Sequence, residues 1–281
     1  MPVIAMTQEM ATLGKDVALG LCEALGLAQV RHEVGDVVAG KMQVKKSLIR
    51  RIREGKAGTI EKWSADDKTI SIFTAEEVLD LAVKGNVLVR GWGATLLLKP
   101  VSHIPCIQVC APMPVRIRRL MERLDTDDES LARKEIENDD AARAAKMSST
   151  FAVDWGDPAL YDLTLNTERI PISRAVDLVL ALLKDPAFAE TAQSRQQLLN
   201  LALEAKVRAA LRADEKTAEV DVSITVDAGV VTLAGIVATP GEKDRAAANV
   251  AAVAGVIKVE NALNSMSGGI GRRLFPSGLT R

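Results

Sequence analysis

Only eight of the 281 residues are aromatic (four Phe, three Trp and one Tyr), which argues against stacking platforms for single-stranded nucleic acid. The three cysteines, Cys22, Cys106 and Cys110, form no CxxC pair, and the histidines are two, His32 and His103. A disulfide scaffold and a Cys/His zinc site are both poorly supported, and no metal-ligand set is assigned. The cysteines read instead as small buried apolar residues in a reducing compartment. Neither sign of charge is in excess: 36 Lys plus Arg stand against 37 Asp plus Glu. Nucleic acid is therefore not an expected partner, and any electrostatic function must come from a local patch. No uncharged apolar run approaches the roughly 20 residues of a membrane helix. The opening residues do not read as a signal peptide, because Glu9, Lys15 and Asp16 interrupt any apolar run. The expectation is a cytoplasmic protein without a transmembrane segment.

Hydrophobic residues make up 48% and charged residues 26%, the balance of an ordinary globular chain whose core is built from Ala, Val, Leu and Ile. Val3 to Met6 is an apolar run of strand length, and Val17, Leu21 and Leu25 recur at helical spacing up to Gly26. Leu27 to Val30 makes a second short strand. Residues 41 to 56 are basic and helix-like. Thr74 and Glu77 fit a capping box that opens a helix closed by Gly85. Val87 to Val89, Ile104 to Val109 and Leu163 to Leu165 are further strands, with a helix from Pro114 and another over Ala175 to Leu183. Strands alternating with helices predict a parallel sheet with right-handed crossovers. The texture changes near residue 190. Beyond it the pattern is helix (Leu199 to Leu211), strand (Val220 to Val226), turn at Asp227-Ala228-Gly229, strand (Val230 to Ala234), helix (Glu242 to Val253) and strand (Val256 to Val259). Alternation at Val220, Val222, Ile224 and Val226 marks a sheet with one wet face.

Two features could carry chemistry. A strand, a turn and a helix starting near Gly14 create a setting for an anion, since backbone N–H groups and the helix dipole converge there. Gly14-Lys15 matches the end of G-x-x-x-x-G-K, but Glu9 fills the first glycine position and Asp16 the magnesium-ligand position. By pattern alone an ordinary strand-to-helix connection fits as well. The second feature is an arginine row, Arg116, Arg119 and Arg123, on one helical face, with Arg143 further on. Fixed positive charge is what phosphoryl groups require. Between these arginines, residues 125 to 140 hold eight acids against two bases, so surface ion pairs are the plainer account.

From Met1 to about Asp185 the chain resembles the cytidylate-kinase-like family of P-loop nucleoside monophosphate kinases. Thr7-Gln8-Glu9 through Gly14-Lys15-Asp16-Val17-Ala18 stands where that family has an S-R-E-x-G-S-G-G-R-E-I-A type loop. Leu88-Val89-Arg90-Gly91-Trp92-Gly93-Ala94 stands for a strand ending in G-R-G-A. Ala111-Pro112 with Val115 to Arg119 resembles A-P-x-x-x-R-x-x-R, and Asp140 to Arg143 the lid D-x-x-R. Trp155-Gly156-Asp157-Pro158 and Tyr161 to Thr167 resemble W-G-D-P and Y-D-L-x-L-N-T. The resemblance implies phosphate binding by Thr12, Leu13, Gly14, Lys15 and Asp16, with Arg90, Arg116 and Arg119 around the phosphates. It implies catalytic roles for Lys15 and Arg143, and ATP with Mg2+ as cofactor. Three departures stand out. Ala11 and Leu13 replace loop glycines, Trp92 replaces the arginine the family uses on the monophosphate, and Arg31 stands where an acid is frequent.

The segment 197–265 resembles a BON domain, carried by Val230 to Val237 (V-x-L-x-G-x-V) and Gly255 to Leu263 (G-V-x-x-V-x-N-x-L). That resemblance implies an αββαβ fold and a ligand- or partner-binding module. Seven bases against nine acids between Gln197 and Leu263 give no basic bias toward anionic lipid.

The expected architecture is an α/β, P-loop kinase-like parallel sheet flanked by helices (1–190), a small α+β BON domain (197–265) and a flexible tail (266–281). The expected function is binding of a nucleotide or related phosphorylated small molecule by a divergent kinase-like domain, with the BON domain for sensing or docking. An active ATP-dependent cytidylate kinase and a structural adaptor are the alternatives. The BON ligand is unassigned and a homo-oligomer is admitted.

Overall fold

The computed structural model describes residues 2–30, 33–53 and 66–266. Arg31, His32 and all but the first residue of the expected tail lie outside the described residues. The chain divides into two compact units, Met1–Leu198 and Leu199–Arg281.

In the first unit the order is β1 (Val3–Gln8), α1 (Gly14–Leu25), β2 (Ala28–Val30), α2 (Glu33–Lys41), α3 (Lys46–Arg53), α4 (Asp67–Lys84), β3 (Val87–Arg90), α5 (Ala94–Leu97), β4 (Cys106–Cys110), α6 (Met113–Leu124), α7 (Glu129–Phe151), β5 (Leu163–Asn166) and α8 (Ile172–Leu182). The five strands form a parallel sheet ordered β2-β3-β1-β4-β5. A strand buried on both faces must be apolar on both, which is why Val3 to Met6 reads as a continuous run rather than an alternation. Ile4 and Met6 pack with Val17 and Leu21 of α1, Ile107 and Val109 of β4, and Val176 and Val179 of α8. Each such side chain contributes about 1.5–3 kcal/mol by leaving water.

Burial also decides the thiol chemistry. Cys106 has no exposed surface, and desolvation pushes its thiol up to about 12. At pH 8 roughly one Cys106 in ten thousand is then thiolate, and the thiolate is the reactive form. In native protein at pH 8, Cys106 should resist alkylation by iodoacetamide and label only in denaturant; mass spectrometry of peptides labelled both ways checks this.

One helix start differs from expectation. Thr74 does not open a helix: α4 begins at Asp67, its start capped by Asp66, which accepts from the Lys68 N–H. Ile70 and Phe73, both buried, carry the apolar face upstream, and Thr74 lies buried in mid-helix. The acidic run is split: Asp125, Asp127 and Asp128 precede the 23-residue helix α7, which takes in the other five acids, and Asp128 caps its start by accepting from Leu131. Only Ala132 and Ile136 of α7 are buried, against Ile117 and Leu120 of α6.

The unit division falls within α9 (Ala192–Ala213), which is followed by β6 (Ser223–Asp227), β7 (Val230–Val237), α10 (Pro240–Ala251) and β8 (Lys258–Ser265). The sheet is ordered β6-β7-β8, antiparallel then parallel. The last strand starts later and runs further than the Val256 to Val259 stretch, because Val256 and Ile257 are held by turn hydrogen bonds to Val253 and Gly229. Val222, Ile224, Val231, Leu233 and Leu263 close the core with Leu203, Val207, Ala246 and Val250.

Candidate phosphate-binding site

Parallel strands end on one edge, and ligands of such sheets bind beyond their carboxyl ends. The segments after β1, β4 and β5 meet there. Glu9 donates its N–H to the Val109 carbonyl (3.1 Å), and Thr167 donates to that of Cys110 (3.0 Å). The Glu9 carboxylate accepts from the Ala111 N–H (3.3 Å) and lies 3.5 Å from Arg116. Burial pushes the Glu9 carboxyl above the usual carboxylate range, against the pull of Arg116.

Residues 9–13 form a loop in which the carbonyl oxygens of Glu9, Met10, Thr12 and Leu13 are tied back into the protein. The Glu9 carbonyl accepts from Thr12 Oγ1 (2.9 Å), that of Met10 from Arg116 Nε (2.8 Å) and that of Thr12 from Thr167 Oγ1 (2.7 Å). The Leu13 carbonyl accepts from Asp16 and Val17. The N–H groups of Thr12, Leu13, Gly14 and Lys15 donate to no carbonyl of the described residues, and no side chain caps α1. A loop with most of its acceptors anchored and its donors uncommitted at a helix start is chemically suited to an anion. Lys15 is exposed and makes no ion pair among the described residues. Asp16, partly exposed, offers a hard oxygen donor suited to Mg2+. These groups fit a nucleotide's phosphates and metal.

The expected site residues fall into two sets. Thr12, Leu13, Gly14, Lys15 and Asp16 are together at the cradle. The arginines stand behind or beside it. Arg116, buried, gives Nη1 and Nη2 to Asp140 of α7 (2.8 and 2.7 Å) besides its bond to Met10, so it is committed within the protein rather than closing over a phosphate. Arg119 gives both terminal nitrogens to Thr167 (3.0 Å to Oγ1, 2.7 Å to the carbonyl). Arg143 pairs with Asp139 (2.6 Å), one turn back, and its guanidinium carbon lies 5.9 Å from the Trp155 ring centroid, a cation–π contact. Trp155 is fixed by its indole N–H on Thr7 Oγ1 (3.3 Å) and by its carbonyl, which accepts from the Tyr161 hydroxyl (2.8 Å). Arg90, buried at the end of β3, donates to Gln8 Oε1 (2.9 Å).

Trp92 follows with φ 61°, between Gly91 and Gly93, which are also left-handed. Its ring lies so close to Gly35 of α2 that a Cβ there would stand 2.7 Å from Cη2, and Phe151 of α7 presses on Gly93 in the same way at 2.9 Å. Aromatic rings, not a guanidinium, thus flank the segment after β3.

Sequence reasoning did not single out Thr167 or Asp140 as functional. Both lie in quoted motifs, but what each grips, Thr12 and Arg116, is set by the fold rather than by spacing.

Across residues 3–169, more than half of the chain, the sequence matches the cytidylate kinase-like family. The chain belongs to that family. Residues 201–265 match the BON domain. A cytidylate kinase of Staphylothermus marinus is 26% identical over 135 residues (47% of this chain, 75% of the relative). One of Halobacterium salinarum is 29% identical over 167 residues (59% and 72%). Among solved structures, an uncharacterized protein from Eubacterium ventriosum aligns at a TM-score of 0.52 and 19% identity, over 66% of this chain and 99% of that one, which shows the shared fold. No helix of the described residues is long and apolar enough to cross a membrane.

Proposed function

We propose that the first unit binds the phosphates of a nucleotide, or of a related phosphorylated small molecule, in the loop between β1 and α1. The observation that supports this best is the division of that loop into tethered carbonyls and uncommitted amides running into Lys15. The four N–H groups from Thr12 to Lys15 hold phosphate oxygens, and the Lys15 ammonium adds a full charge where the helix dipole adds a partial one. Bound ATP would bring the transferable phosphoryl group, and Asp16 would hold its Mg2+. Arg143, paired with Asp139 and stacked on Trp155 in the second half of α7, is assigned the second cationic role beside Lys15. Arg116 and Arg119 support the loop from behind.

The acceptor side carries no arginine in the position where the family has one. Trp92 holds that place, and Arg90 donates to Gln8 at the end of β1. For that reason the leading reading is ligand binding, with the BON unit as a sensing or docking module. The cytidylate kinase relatives support the second reading, an active enzyme. A coupled ATP-turnover assay with a panel of nucleoside monophosphates separates the two. Binding alone gives no turnover above a Lys15→Ala control; sustained turnover lost in that variant establishes the enzyme.

A further inference from the structure

Ala11 and Leu13 adopt φ of 60° and 59°, a left-handed backbone that costs an ordinary residue about 1–2 kcal/mol and glycine almost nothing. Something must hold them there. A peptide group is a rigid plane that contains the carbonyl of one residue and the nitrogen of the next. The Met10 carbonyl therefore belongs to the plane whose orientation sets φ of Ala11, and the Thr12 carbonyl to the plane that sets φ of Leu13. These are two of the carbonyls gripped by side chains from elsewhere in the fold: Met10 by Arg116 Nε at 2.8 Å and Thr12 by Thr167 Oγ1 at 2.7 Å. Both gripping residues are nearly solvent-free, at 4% and 3% exposure. Each is itself seated by a second residue, Arg116 by the bidentate Asp140 and Thr167 by the bidentate Arg119. Met10 and Ala11 also pack against the cluster formed by Ile117, Leu120, Ala132 and Ile136 of α6 and α7.

We propose that Arg116 and Thr167, seated by Asp140 and Arg119, are positioning residues that impose on Ala11 and Leu13 the backbone a glycine loop would adopt freely. The phosphate cradle is thus shaped by clamps from α6, α7 and the end of β5 instead of by its own sequence. A consequence is that α7 is coupled to the cradle through Asp140. The inference rests on the phosphate-binding reading for its functional meaning and for the binding arm of its test, but not for the stability arm.

The test is a four-protein cycle in the full chain: wild type, Thr167→Val, Leu13→Gly and the double variant. Thr167→Val keeps the side-chain shape and removes the clamp. With inorganic tripolyphosphate as probe in calorimetric titration, Thr167→Val should weaken binding by up to about tenfold, the upper range for one lost neutral hydrogen bond. Measured against Leu13→Gly as its reference background, the double variant should show little of that loss, because glycine reaches the left-handed backbone without a clamp. A double variant as weak as Thr167→Val would overturn the proposal, since a merely structural threonine is not rescued by a glycine at position 13. The second readout needs no ligand. Leu13→Gly should raise the unfolding midpoint of the clamped protein by about 2–4 °C, through relief of strain of roughly 1 kcal/mol, and should not raise it in the Thr167→Val background. A lower midpoint in the clamped protein would also overturn the proposal. Failure of the wild type to bind tripolyphosphate counts against the phosphate-binding reading alone, and the midpoints then decide the clamps.

Discussion

Arg116→Met should lower the unfolding midpoint of the first unit by about 6–15 °C, the largest stability effect expected of any polar substitution in the site. The side chain is 5% exposed while its partners Asp140 and Glu9 keep 27% and 23%. Removing one member of a buried ion pair costs about 3–5 kcal/mol, because the partner's charge is left uncompensated. Water can reach the two carboxylates in part, which places the loss near the lower end. Arg116→Met also strands the Met10 carbonyl, the acceptor of Nε. For a unit of this size one kcal/mol corresponds to about 2–4 °C. Asp140→Asn should cost much less, since the amide oxygen still accepts from the guanidinium and Glu9 stays close. Thermal unfolding followed by circular dichroism distinguishes these outcomes. Equal, small shifts for both variants would mean that the network is a surface ion pair.

Trp92→Arg should strengthen binding of CMP by about tenfold or more. A guanidinium that meets a phosphate makes charge-assisted hydrogen bonds, and one such bond contributes roughly 1.5–3 kcal/mol. The wild-type chain has no substitute in Arg90, which is buried and bonded to Gln8. The substitution also lifts the indole from Gly35, against which it is pressed. Both residues are non-glycine at φ 61°, so the backbone cost at this position is unchanged. Titration of both proteins with CMP and with cytidine reads the effect, and the gain should be confined to CMP. An equal gain for cytidine would indicate a wider pocket rather than a phosphate contact.

The parallel sheet was legible because its strands are short apolar runs between helical periods, Val3 to Met6 above all, and Gly26 stops α1 with φ 64°. The cradle was legible as a place, through Gly14-Lys15, but its shape was not. Spacing puts Arg116 and Arg119 on one face of α6, and nothing local shows that Asp140, 24 residues on, takes one and Thr167, 48 residues on, takes the other. Long-range hydrogen bonds of this kind are set by tertiary packing. Thr74 failed as a helix start for a related reason. The capping-box pattern is local, while the burial of Ile70 and Phe73 that extends α4 upstream depends on what the helix packs against. The replacement of loop glycines by Ala11 and Leu13 was legible, but that both residues adopt a left-handed backbone was not.

The central claim is that the amides from Thr12 to Lys15 receive phosphate, and calorimetric titration of the full chain with ATP, with and without Mg2+, tests it most directly. Saturable one-to-one binding is expected, and Lys15→Ala should weaken it by roughly 10–150-fold, the equivalent of one charged hydrogen bond of about 1.5–3 kcal/mol. Absence of saturable heat in the wild type, or affinity indifferent to Lys15→Ala, would contradict it.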